Sequence, residues 1–260
     1  MKVSIITVCY NSSQYIRSAI DSVLSQSYND IEYIVIDGGS SDETIKIIQE
    51  RARDIQHIIS EPDEGIYDAM NKGVALATGE IIGVLNSDDF YPNSNVISDV
   101  VDVFKKHADI DLLLGNVDFV SAENLVKPVR GYSSFKFSPW KMRFGFLPAH
   151  PAAFVKRNAY DCVGLYKLGY QTAADFDFFV RALITHKLKY STLDMVLVRM
   201  RLGGASTSGL KAYWASSKEI LRSLDENKIS SNILFVLSRL LVKAFQMFLF
   251  RCKSLGKHNA

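Results

Sequence analysis

Residues 80–91 read Glu80-Ile81-Ile82-Gly83-Val84-Leu85-Asn86-Ser87-Asp88-Asp89-Phe90-Tyr91. A β-branched apolar run predicts a buried strand, and two adjacent carboxylates follow it at once. In open α/β sheets the carboxyl ends of the strands deliver side chains into the crevice above the sheet. Two like charges held there repel unless a cation or a donor-rich ligand neutralises them. Carboxylate oxygens are the hard ligands that Mg²⁺ or Mn²⁺ prefers, and such sites complete the shell with phosphate and water. Asp88 and Asp89 therefore read as a metal site, with a solvated acidic turn ahead of a helix near Ser94 as the alternative.

Upstream, Val3 to Val8 is a short apolar run without alternation, as expected of a parallel strand covered on both faces. Asn11 with Gln14 predicts a capping box ahead of a helical stripe of Ile16, Ala19, Ile20, Val23 and Leu24. Glu32 to Ile36 is a second strand, ended by Asp37-Gly38-Gly39-Ser40-Ser41. Ser40 with Glu43 predicts the cap of a helix whose buried stripe is Ile45, Ile48 and Ala52. Ile55 to Ile59 is a third strand, and a helix through Ala77, stopped by Thr78-Gly79, returns to the quoted stretch. Residues 1–90 thus alternate strand and helix, which implies an α/β fold with a right-handed, doubly wound, mostly parallel sheet of Rossmann-like topology. Asp37, Asp63 and Asp88 share its loop-bearing edge.

Downstream, strands are predicted at Asp111 to Val117, Val126 to Gly131, Pro151 to Val155 and Lys189 to Met200, with a helix at Asp175 to His186. Tyr132 to Leu147 is rich in aromatic and basic residues and reads as a mobile loop or acceptor-side insert, with Trp140 packed in the core. Ile229 to Phe250 is apolar over the length of a membrane span, yet Arg239 and Lys243 interrupt it on one helix face. With Lys228, Arg251 and Lys253 flanking, it reads as an amphipathic extension lying in the headgroups of an anionic membrane, with a helix packed on the domain as the alternative.

The chain has 260 residues, 48% of them hydrophobic, enough for one α/β domain with appendages. With 30 Lys and Arg against 28 Asp and Glu, no global field argues for nucleic acid. Cys9, Cys162 and Cys252 fit neither a disulfide framework nor a structural zinc site, which points to a reducing cytoplasmic setting. The first apolar run reaches Cys9-Tyr10-Asn11 too soon for a signal peptide.

Four stretches taken together resemble the family 2 glycosyltransferases of the GT-A fold: Ser4-Ile5-Ile6-Thr7-Val8-Cys9-Tyr10-Asn11, Val35 through Thr44, Asn71-Lys72-Gly73 with Ala77-Thr78-Gly79-Glu80, and Asn86-Ser87-Asp88-Asp89. Asp63-Glu64-Gly65-Ile66-Tyr67-Asp68-Ala69-Met70-Asn71 is similar to a run in bacterial enzymes that extend lipid-linked surface polysaccharides of the O-antigen or colanic-acid kind. The resemblance covers residues 2 to about 205. It implies an inverting transfer from a UDP-sugar to a polyprenyl-diphosphate-linked saccharide, with Mn²⁺ or Mg²⁺ as cofactor, by a cytoplasmic protein peripheral on the inner face of the cell membrane.

Residue by residue, the resemblance assigns the metal to Asp89, with Asp88 sharing it or touching ribose. Many relatives carry an acid where this chain has Asn86. Asp37 is expected to accept a hydrogen bond from the base and Tyr10 to stack on it. Asp63 and Asn71 are expected to line the nucleotide pocket, and His150 the donor and acceptor junction. Arg201, beside Gly203 and Gly204, is expected to meet the diphosphate. Asp175, in Ala173-Ala174-Asp175-Phe176-Asp177, is expected to be the base that takes the acceptor's proton, with Asp177 as fallback. The implied division is a transferase domain at 1–205, with a nucleotide-sugar half to about 118 and an acceptor half from 119, then a helical segment at 206–260. A sugar nucleotidyltransferase is disfavoured because Thr7 to Asn11 holds no glycine or basic residue, and a dinucleotide-dependent oxidoreductase because no Gly-x-Gly-x-x-Gly follows the first strand. A sugar-nucleotide-binding membrane scaffold without chemistry is disfavoured by Asp88, Asp89 and Asp175.

Overall fold

A computed structural model describes residues 1–203 and 209–239. Gly204 to Ser206 of the glycine-bearing loop, Lys243 and Cys252 lie outside the described residues. Stretches rich in β-branched residues form β1 (Val3–Cys9), β2 (Ile31–Asp37), β3 (His57–Ser60) and β4 (Ile81–Asn86). These strands are parallel in the order β3-β2-β1-β4. Asp89–Phe90 is a two-residue β5, followed by β6 (Leu112–Val120), β7 (Pro128–Tyr132), β8 (Ala153–Lys156) and β9 (Tyr190–Arg201). Antiparallel β8 joins β4 to β6; β6 then runs parallel to β9, and β9 antiparallel to β5. The described strands form one continuous sheet, the mostly parallel α/β arrangement that the alternation implies.

The period of two along β1 separates two cores. Ile6 and Val8 face α3 (Ile66–Leu76), α6 (Ala174–Val180) and α7 (Gly209–Glu226). Val3 and Ile5 face α1 (Ile16–Leu24) and α4 (Val96–Lys106). Ile16, Ala19, Ile20 and Val23 are buried on α1 as its spacing predicts. Each large apolar side chain so removed from water contributes about 1.5–3 kcal/mol. Helix α2 (Thr44–Gln49) buries Ile48, while Ala52 is exposed in a 3-10 turn.

Both predicted caps are corrected. No side-chain cap closes α1 or α2. Asn11, at φ 47°, instead accepts from the Ser41 amide at 2.9 Å, and Asp42 accepts from the amides of Ser13 and Thr44. These side chains stitch the β1–α1 loop to the β2–α2 loop, a use that local spacing does not reveal.

Residues 132–147 are also more ordered than expected. A 3-10 turn at Pro139–Phe144 buries Met142 completely, while Trp140, expected in the core, is 59% exposed. The short helix α5 (Arg157–Val163) follows β8, and helical residues 233–239 return against the 3-10 turn. There Arg239 is 7% exposed and donates to the Tyr213 hydroxyl at 2.8 Å and to Ser217 Oγ at 3.0 Å. Its charge is turned into the protein, which corrects the expectation that it lies among headgroups. No described helix is long and apolar enough to cross a membrane.

Candidate active site

Pairing register gathers the sequence motifs at one edge. Cys9 lies beside Asp37 across β1 and β2, and Val8 beside Asn86 across β1 and β4. The chain segments after these residues, carrying Tyr10, Gly38 and the Asp88–Asp89 turn, therefore emerge side by side. A Ser12 to Ser87 hydroxyl bond of 2.8 Å ties the first of them to the last. Tyr10 is 63% exposed on this rim.

The acid pair is poorly compensated. Asp89 is 1% exposed and receives a single side-chain hydrogen bond, from Asn86 Nδ2 at 3.3 Å. Burial and then the neighbouring Asp88 charge push its carboxyl well above the usual range. Burial also raises Asp88, with Arg201 offsetting in part. Asn86 Oδ1 is buried without a hydrogen-bond partner. Unpartnered hard oxygens beside two crowded carboxylates fit a divalent cation, which would satisfy all three groups. Asp88 is half-buried, so a cation arriving from solvent meets it before Asp89. Among the described residues no three His, Cys, Asp or Glu side chains converge.

Asp37 is closed to a base, contrary to expectation. It is 0% exposed, and its carboxylate accepts from the amides of Gly39 (3.1 Å) and Ser40 (2.9 Å), and from the hydroxyls of Ser40 and Ser60. The Gly-Gly-Ser turn folds back onto its own acid, so Asp37 fixes the rim and does not line it. Asp63 is the acid that reaches the rim. One oxygen accepts from the Gly65 amide at 2.9 Å, and the other lies over Gly38, where a β-carbon would collide with it.

A second cluster lies beneath α3. Asp175 sits in the first turn of α6, partly open to solvent, and accepts from the Tyr67 hydroxyl at 3.3 Å. It is not a cap, because that position is Ala173. Burial raises its carboxyl above the ordinary range, while His150 and the Tyr67 hydroxyl pull it back. His150 occupies a 3-10 turn and is buried, with Nε2 3.2 Å from the Tyr166 hydroxyl. Burial pushes the imidazole down, with the Asp175 charge opposing in part. Tyr67 and Tyr166 were not singled out by the sequence. Their signal is a hydroxyl on a buried aromatic position, which is costly unless it has a partner.

Asp177, the fallback base, is 0% exposed and enclosed by Arg181 (2.7 Å), Lys167 (3.2 Å), Ser223 (3.0 Å) and Asn227 (3.1 Å), so it holds α6 to α7. Asn71 does not offer its amide to a nucleotide. It bonds the Tyr166 carbonyl at 2.8 Å and the Tyr166 amide at 2.9 Å, fixing the loop that carries that hydroxyl. Arg201 is likewise committed. It donates to the Asp88 carbonyl and, at 2.7 Å, to Ser18 Oγ, between the rings of Phe90 and Tyr15. It braces the acid turn from behind.

Residues 4–164 match the profile of Glycosyl transferase family 2. The chain belongs to this family. This family 2 glycosyltransferase is 30% identical over 209 residues to a PGL/p-HBAD biosynthesis glycosyltransferase of Mycobacterium bovis, covering 79% of each chain. It is 32% identical over 213 residues to an uncharacterized glycosyltransferase of Mycobacterium tuberculosis, covering 81% of this chain and 77% of the other. Among solved structures, Staphylococcus aureus TarS 1-349 in complex with UDP-GlcNAc superposes with TM-score 0.67 at 20% identity, over 86% of this chain and 66% of that one. This chain spans 40% of the longer TarS chain. Mannosyltransferase PcManGT from Pyrobaculum calidifontis, in complex with GDP-Man and Mn²⁺, gives 0.60 at 15% identity over 98% of this chain and 83% of that one. At these identities the likeness establishes the GT-A fold.

Proposed function

We propose that this glycosyltransferase moves a hexose or N-acetylhexosamine from a UDP-sugar to a lipid-linked saccharide, with inversion, in the building of a surface polysaccharide. The observation that carries the reading is the poorly compensated Asp88–Asp89 pair with the unpartnered Asn86 Oδ1 at the strand ends. Asp88, Asp89 and Asn86 would hold Mn²⁺ or Mg²⁺, which would supply electrostatic stabilisation of the departing diphosphate. Tyr10 stacks on the base, and Asp63 takes over the recognition that Asp37 is too enclosed to give. Arg201 acts on the diphosphate only through the turn it braces.

Asp175 receives the proton of the attacking hydroxyl. Its raised carboxyl sits nearer the operating pH, which favours proton transfer, while the Tyr67 hydroxyl holds the carboxylate in place. An inverting displacement needs only this one base, with no covalent intermediate. Residues 1–205 carry the chemistry, with donor contacts before about 118 and the base after it. Residues 206–260 attach the enzyme to the inner face of the membrane.

The test offers purified protein UDP-glucose, UDP-galactose and their N-acetyl forms, with Mn²⁺ or with EDTA. Donor-dependent UDP release that EDTA abolishes is expected. Tight UDP binding with no turnover of any donor would favour the scaffold reading.

A further inference from the structure

We propose that the 3-10 turn Pro139–Phe144 and helical residues 233–239 form one face that docks on an anionic lipid surface. The inference rests on the membrane part of the proposed function and locates the contact within the folded domain. Charge is segregated along an otherwise balanced chain. Residues 124–160 contain seven Lys and Arg and no Asp or Glu, and residues 227–260 contain six and none. Folding joins these two acid-free stretches. The Phe144 ring stacks on Phe235 at 4.8 Å, and Trp140 meets Phe144 edge-on at 5.8 Å. Ser231 Oγ donates to the Arg143 carbonyl at 2.5 Å, and Arg239 donates to the Gly145 carbonyl at 3.4 Å. Gly145 takes φ +74°, which turns the chain under the helix at this seam.

The outer side of the seam is apolar. Trp140 is 59% exposed, Leu234 74% and Phe235 42%, with exposed Lys136, Arg143 and Lys228 on the same two stretches. Because Arg239 points inward, the cation that interrupts the apolar run in sequence does not interrupt this surface. Exposed aromatic and aliphatic side chains among cations, on two stretches that hold no acid, match the boundary between anionic headgroups and acyl chains. A second copy is disfavoured as the occupant, since it would bring the same positive charge against this one. The turn also leads within six residues to His150, so docking it sets the Asp175 cluster close to the bilayer in which a lipid-linked acceptor lies.

The test uses full-length protein carrying Trp214→Phe, which leaves Trp140 as the only tryptophan. Vesicles of phosphatidylcholine alone are compared with vesicles containing phosphatidylglycerol. On anionic vesicles Trp140 fluorescence is expected to shift to the blue and to be quenched by brominated acyl chains, with little change on neutral ones. Lys136→Gln with Arg143→Gln should weaken vesicle binding roughly tenfold or more at low salt, since each cation near an anionic surface adds about fivefold. UDP release from donor alone should be unchanged, which separates this test from that of the chemistry. If the protein sediments with vesicles while Trp140 emission stays fixed, the proposal is overturned and attachment lies elsewhere in the chain. Failure to sediment, or a dimer that Trp140→Ala dissociates, also overturns it.

Discussion

At the amino edge of the sheet Glu32 is 3% exposed and accepts from Lys2 (2.7 Å), Ser4 (2.5 Å) and both the amide and hydroxyl of Thr78 (2.7 and 2.6 Å). At the carboxyl edge Asp89 is 1% exposed and has Asn86 at 3.3 Å and another acid beside it. Burial alone would raise both. At Glu32 the hydrogen bonds win and bring the carboxyl down to about 2, whereas at Asp89 the like charge adds to burial. One acid is finished by the protein, and the other is left for something the protein does not contain. The same contrast separates Asp177, enclosed by four donors, from Asp175 two residues earlier. Uncompensated burial marks the chemistry, and compensated burial marks the scaffold.

The sharpest way to break this comparison is Asp89→Asn. It should cut metal-supported turnover by about 10³, the several kcal/mol that a cation contributes to a developing charge. It should not lower the melting temperature of the metal-free protein, because it removes an unpaired buried charge. Addition of Mn²⁺ should raise the melting temperature of the parent and leave that of the variant unmoved in a thermal-shift assay. Retained turnover would end the metal assignment.

Asp175→Asn should lower kcat by about 10² or more with the donor KM unchanged, as loss of a general base requires. A larger effect on donor KM than on kcat would place Asp175 in binding. Glu32→Gln should do the reverse. It should cost about 1–3 kcal/mol of stability in denaturant unfolding, the worth of hydrogen bonds to a charged group, at unchanged kcat. Because the folded Glu32 is depressed, its contribution is fully present above the ordinary glutamate range and lost as the pH falls towards 2. The parent and variant should therefore converge in acid.

The smallest effect is expected from Tyr67→Phe. Removing the hydroxyl that stabilises ionised Asp175 should move the acid limb of the kcat profile up by about one pH unit. The loss of kcat should grow as the pH falls, with the donor KM intact. An unshifted limb would show that the 3.3 Å contact is packing only.

Strand positions and the edge they share were legible because a buried parallel strand writes an unbroken apolar run into the chain. Helix starts were not, since Asn11 spends its oxygen on the Ser41 amide 30 residues away in sequence, and Asp42 divides its oxygens between Thr44 at the start of α2 and the distant Ser13 amide. Asp37 and Asp63 show the same limit. Both follow from turn chemistry, yet only packing decides that the first is wrapped by its own turn and the second is left open above Gly38.

What the amino-acid order determined by itself was the alternation of elements, the acids at the strand ends and the family to which they are similar. Hydrophobic period and motif spacing are local and survive without coordinates. Tertiary structure alone decided which carboxylates stay uncompensated, that Tyr67 reaches Asp175 across 108 positions, and that two acid-free stretches meet at Phe144 and Phe235. A charge is satisfied or left bare by groups brought to it through folding, and no window of neighbouring residues contains them.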